Sequence, residues 1–103
     1  NLVNARTLSL LPKGAIVVNT ARGGIVEDDA LISALNSGHL AAAGLDVFAN
    51  EPNIDPRYRA LDNVFLLPHL GSATLRTRTD MALRALGNLT DFADGKIPTD
   101  KLN

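Results

Sequence analysis

The sequence contains no cysteine, which excludes disulfides and thiolate metal sites and suits a reducing cytoplasm, the location expected here. Only two histidines remain as nitrogen donors, and no metal site is expected. An excess of either charge is also missing, since ten basic against eleven acidic side chains leave a net charge of −1. That offers no extended basic field to a nucleic-acid backbone or an anionic lipid surface. No apolar run approaches the roughly 18 residues of a membrane-spanning helix, and no charged-then-apolar secretory signal opens the chain. A soluble protein is expected, with neither nucleic acid nor membrane as partner. Repeats, low-complexity tracts and internal linkers are absent, and 103 residues suit one domain with a real core. An initiator methionine is absent as well, so a piece of something longer is expected.

What is present alternates between strand and helix. Leu2, Val3, Leu8, Leu10 and Leu11 make a helix-like pattern that Pro12 and Gly14 stop. "AIVVN" reads as a strand over residues 15 to 19. "EDDALISALNSGHL" follows as a helix, with Leu31, Ile32 and Leu35 on one face, Asp28 and Asp29 in the first turn and Gly38 as C-terminal cap. His39 just beyond is expected on the surface. A second strand is expected from Leu40 to Phe48, its alanines in the core, and a third in "NVFLLPHLG", cut off at Pro68. The last helix, about residues 74 to 94, takes Ser72 or Thr74 as cap and carries Ala82, Ala85, Leu86, Leu89 and Ala93 as its stripe, with Arg76, Arg78 and Arg84 solvated. Strands that are apolar throughout predict an α/β fold: part of a doubly wound parallel sheet, Rossmann-like, with three parallel strands and helices on both faces. The strand at 15 to 19 is apolar on both alternating faces, which implies further neighbours.

Ligands of open parallel sheets lie outside the carboxyl ends of the strands. Thr20, Ala21 and Arg22 follow the first strand, Asp46 and Glu51 the second, and His69 and Gly71 the third. An arginine can grip a carboxylate in bidentate fashion. A histidine can give or take a proton near neutral pH, and a carboxylate beside it favours the protonated ring. Together these describe a site for reducing a 2-oxo acid, lacking only a hydride source. Duller readings remain open at each position: a surface ion pair for Arg22, a satisfied loop residue for His69, and turn chemistry for Asp46 and Glu51. Gly23 and Gly24 read as devices that turn the chain sharply off the strand.

Three stretches carry a family resemblance over essentially the whole chain. "LLPKGAIVVNTARGGIVEDDALISAL", "AAGLDVFANEP" and "NVFLLPHLGSAT" resemble, in order, the arginine, acidic and histidine signatures of the NAD(P)-dependent D-isomer-specific 2-hydroxyacid dehydrogenases, with wording closest to the glyoxylate and hydroxypyruvate reductases. The resemblance implies the later half of a nucleotide-binding domain, with the final helix returning toward a substrate domain. It implies that Arg22 holds the substrate carboxylate, that His69 is the acid and that Glu51 pairs with His69. It further implies that Thr20, Ala21, Arg22, Asp46, His69 and Gly71 line NAD or NADP, that the substrate is a small 2-oxo or 2-hydroxy acid, and that the assembly is a homodimer. Corepressors of the same fold keep this triad, so a nucleotide-sensing binding module is the alternative. The family's G-x-G-x-x-G phosphate loop is absent, because "ARGGIV" has another spacing and follows another strand. The 103 residues alone are therefore expected to be inactive.

Overall fold

The computed structural model describes residues 1–102. They fall into two compact units, 1–71 and a second that begins at Ser72. In the first unit, helix α1 (Ala5–Ser9) starts at a capping box: Asn4 Oδ1 accepts from the Thr7 N–H at 3.2 Å, and Thr7 Oγ1 accepts from the Asn4 N–H at 2.8 Å. The helix is shorter than the apolar pattern suggests. Leu8 alone is buried in it, Leu2 and Leu10 are exposed, and Val3 instead bridges in parallel to Val26. Gly14, at φ +85°, donates its N–H to the His39 carbonyl at 2.7 Å and leads into strand β1 (Ala15–Asn19).

Helix α2 (Asp28–Asn36) buries Leu31, Ile32 and Leu35, and its acidic first turn sits where the helix dipole favours negative charge. Gly38, at φ +69°, closes it by donating to the Leu35 carbonyl at 3.1 Å. Strands β2 (Leu40–Leu45) and β3 (Val64–Leu66) complete a parallel sheet of order β1-β2-β3. Strand β2 is shorter than the run to Phe48. Its register pairs end at Asn19 and Leu66; the Asp46 N–H still donates to the Asn19 carbonyl at 3.0 Å, but Asp46 and Val47 are buried beyond the strand. Of the alanines, Ala43 is core while Ala41 is exposed, because the register with β1 shifts there and leaves Ala41 as the extra, unpaired residue of a bulge.

The core joins Leu8, the three α2 residues, Val26, Leu40, Ala43, Leu45 and Tyr58. Helices on both faces were expected, but in this unit the layer covers one face only. Ile16, Val18 and Phe65 stand 66, 68 and 67% exposed. The cause lies in the connections: β1 reaches β2 through a helix, whereas β2 reaches β3 through a loop whose only regular piece is the 3-10 turn Pro56–Ala60. That turn is fastened to α2 by the Tyr58 O–H donating to Asp28 at 2.7 Å and by Arg57 bridging Asp29 and Asp55, each at 2.6 Å.

His39, expected on the surface, is half-buried. Its Nε2 lies 3.1 Å from the Leu8 carbonyl, tying the end of α2 to α1. In the second unit, helix α3 (Leu75–Ala93) is capped by the Thr74 hydroxyl, which accepts from the Thr77 N–H at 3.1 Å. Arg84 is not simply solvated there either: its guanidinium donates to Asp100 at 2.6 and 2.5 Å, and Asn88 joins at 2.7 Å, holding the tail against the helix. No helix among the described residues is long and apolar enough to cross a membrane.

Candidate active site

The register aligns Asn19 with Leu45 and Leu45 with Leu66, so the strands end level and the three loops leave one rim. From β1 the chain turns at once. Asn19, 6% exposed, accepts the Ala21 N–H on Oδ1 at 3.1 Å and donates from Nδ2 to the Arg22 carbonyl at 3.0 Å. Gly23 then presses so closely on the backbone of Phe48 and Ala49 that a Cβ would overlap it, whereas nothing lies within 4 Å of the Cβ position at Gly24. Gly23 therefore serves close approach rather than an unusual φ. Arg22 itself is exposed and donates to the Ala21 carbonyl at 2.6 Å. No carboxylate among the described residues forms an ion pair with it.

Asp46, 4% exposed, accepts the Leu70 N–H at 2.6 Å and the Gly71 N–H at 2.7 Å. A charged acceptor makes such bonds strong, and they hold the loop that carries His69. That restraint matters because His69 has φ +56°, the left-handed region, and is the single non-glycine residue there among the described residues. Such a conformation costs roughly 1–3 kcal/mol and persists only where its surroundings fix it. A Cβ at Gly71 would stand 3.1 Å from Asp46 Oδ2, so a bare residue is what lets the loop seat on the carboxylate.

The imidazole Nδ1 of His69 lies 2.7 Å from Glu51 Oε2, and Glu51 Oε1 accepts the Phe48 N–H at 2.8 Å. The hydrogen bond from His69, that from the Phe48 N–H and, more weakly, the charge of Arg22 hold the Glu51 carboxyl below its ordinary value, against an opposing desolvation. An ionised carboxylate only accepts, so Nδ1 carries the hydrogen and Nε2 is left for chemistry. Beside the pair opens a cavity of about 400 Å³, walled by Phe48, Pro52, Ile54, Leu66, Glu51 and His69. The structure thus brings Glu51 and His69 into contact and sets Arg22 within electrostatic reach of Glu51, but not on the cavity wall. Thr20, Ala21 and Gly71 are exposed at the same rim, while Asp46 is buried beneath it. Asn19 is the residue the sequence reading passed over. The signal was an asparagine at the last strand position before a turn, where its side chain can mimic backbone.

An open parallel sheet with a histidine–carboxylate pair and an arginine at its strand ends has the arrangement of a nucleotide-binding α/β domain. Residues 1–71 match the model of the D-isomer specific 2-hydroxyacid dehydrogenase, NAD binding domain, and the chain belongs to that family. It is 48% identical over 105 residues to a glyoxylate reductase of Aeropyrum pernix, covering 100% of this chain and 31% of that protein. It is 55% identical over 82 residues to a glycerate dehydrogenase of Hyphomicrobium methylovorum, covering 80% and 26%. Among solved structures, the NADPH-dependent glyoxylate/hydroxypyruvate reductase of Sinorhizobium meliloti, in complex with NADP and malonate, superposes with a TM-score of 0.83 at 43% identity, covering 87% of this chain and 28% of that one. The chain therefore spans about a quarter to a third of the length of these relatives.

Proposed function

We propose that this chain forms part of an oxidoreductase that reduces small 2-oxo acids such as glyoxylate or hydroxypyruvate with NADH or NADPH. The carrying observation is the 2.7 Å contact between His69 Nδ1 and Glu51 at the rim that also presents Arg22. The cofactor fits the exposed rim at one end. Thr20, Ala21 and Gly71 would line the nicotinamide, with Asp46 buried beneath them and its carboxylate taken by the Leu70 and Gly71 N–H groups, while the phosphates find no glycine loop in this sequence. When bound, the reduced nicotinamide supplies the hydride to the carbonyl carbon.

The protein residues do the rest. Arg22 grips the substrate carboxylate and orients the adjacent keto group. His69 gives the proton from Nε2 to the carbonyl oxygen, so that one hydride and one proton convert the 2-oxo acid to the 2-hydroxy acid. Glu51 holds the ring in the right tautomer and stabilises its charged form. Helix α3 leads toward a separate substrate domain, and the complete enzyme is a cytoplasmic homodimer. The relatives named above carry enzyme names, which favours this reading over a corepressor-like module.

The test is an assay of the full-length protein with a panel of 2-oxo acids and both reduced cofactors. Oxidation of one cofactor by glyoxylate or hydroxypyruvate is expected, and Arg22→Lys, which loses the two-pronged grip, should raise KM for the acid. Absence of turnover with every acid contradicts the proposal.

A further inference from the structure

We propose that Asn19 is the positioning residue for Arg22, an inference that rests on the reading of Arg22 as the carboxylate anchor. Asn19 is buried at the last position of β1 and points both ends of its amide at the turn that follows. Oδ1 takes the Ala21 N–H at 3.1 Å and Nδ2 gives to the Arg22 carbonyl at 3.0 Å, so a side chain closes the turn. Its own carbonyl accepts the Asp46 N–H at 3.0 Å, and the Asp46 carboxylate accepts the N–H groups of Leu70 and Gly71 at 2.6 and 2.7 Å. One line of hydrogen bonds thus runs from the backbone of Arg22, through Asn19 and Asp46, to the two residues after His69. Arg22 needs this help. Of the two glycines that follow it, Gly23 is pressed against Phe48 and Ala49, but Gly24 has open space around it, and a glycine backbone supplies little restraint of its own. Without the Asn19 amide, the Ala21 N–H loses its partner and the Arg22 carbonyl keeps only the Ile25 N–H at 3.2 Å, so the guanidinium starts from a less restrained turn.

The experiment uses the full-length protein with Asn19→Ala and Asn19→Asp, the latter keeping the acceptor for Ala21 and losing the donor to Arg22. Asn19→Ala is expected to lower kcat/KM for the 2-oxo acid on the order of a hundredfold, the cost of small misplacements in a pre-aligned site, with Asn19→Asp between it and the unmodified protein. Affinity for reduced cofactor, read by fluorescence, should fall far less than kcat/KM, since the turn carries only part of the cofactor's contacts. In an Arg22→Lys background the further loss from Asn19→Ala should nearly vanish, because the group being aimed is already gone. An equal loss in both backgrounds, undiminished kcat/KM, or failure of both variants to fold overturns the assignment. If the unmodified protein reduces no 2-oxo acid, the functional reading fails and takes this one with it. If it does so and depends on Arg22, while the Asn19 variants match it, the positioning role alone fails.

Discussion

At the scale of single residues, two exposed side chains, His69 and Glu51, are kept in one arrangement. His69 sits at φ +56°, and it does so because Asp46 below it binds the next two amides. Glu51 is held from both sides, by the Phe48 N–H and by the imidazole. Since its folded-state pKa lies below the ordinary 4.5, its contribution to stability is present above that ordinary value and is lost as pH falls through the depressed one. Denaturant unfolding of the full-length protein and of Glu51→Gln is therefore expected to differ at pH 6 and to converge in strong acid, and a difference that persists unchanged there contradicts the assignment. The roles proposed for these residues follow their types and places at strand ends, which the sequence displays. Asn19 escaped notice because nothing in "VVNT" says that the amide is buried, and His39 because its partner, the Leu8 carbonyl, is 31 residues away in sequence.

At the scale of elements, the turn after β1 is where backbone requirements and chemistry meet. Strand β1 matched its expected limits of 15 to 19 because Gly14 precedes it and a side-chain-closed turn follows it. Strand β2 did not, since an apolar run reports burial rather than pairing, and Asp46 and Val47 are buried without a partner strand in register. The two glycines after Arg22 look equivalent in sequence but not in space. Gly23→Ala forces a Cβ into the backbone of Phe48 and Ala49 and is expected to destabilise the fold by about 1–3 kcal/mol or more. Gly24→Ala meets nothing within 4 Å and should stay within roughly 0.5 kcal/mol. Thermal unfolding of the two variants checks this, and equal effects would refute the close-approach explanation.

At the scale of the whole molecule, the compact unit of residues 1–71 has the same bounds as the family match. Its sheet shows why an α/β class was legible from alternating apolar runs, while the coverage of its faces was not. Periodicity announces the helix between β1 and β2, yet "ANEPNIDPRYRAL" gives no sign that Tyr58 will enter the core beside α2. The same sheet sets the three rim loops side by side, and the central claim is that they serve one reaction, with His69 as the proton donor. The most direct test measures turnover of the full-length protein carrying His69→Ala at saturating cofactor and 2-oxo acid, with cofactor affinity read on the same sample. The account predicts a rate lower by roughly 10²–10⁴-fold, the usual contribution of a positioned acid, and an unchanged affinity. Turnover equal to that of the unmodified protein would contradict it.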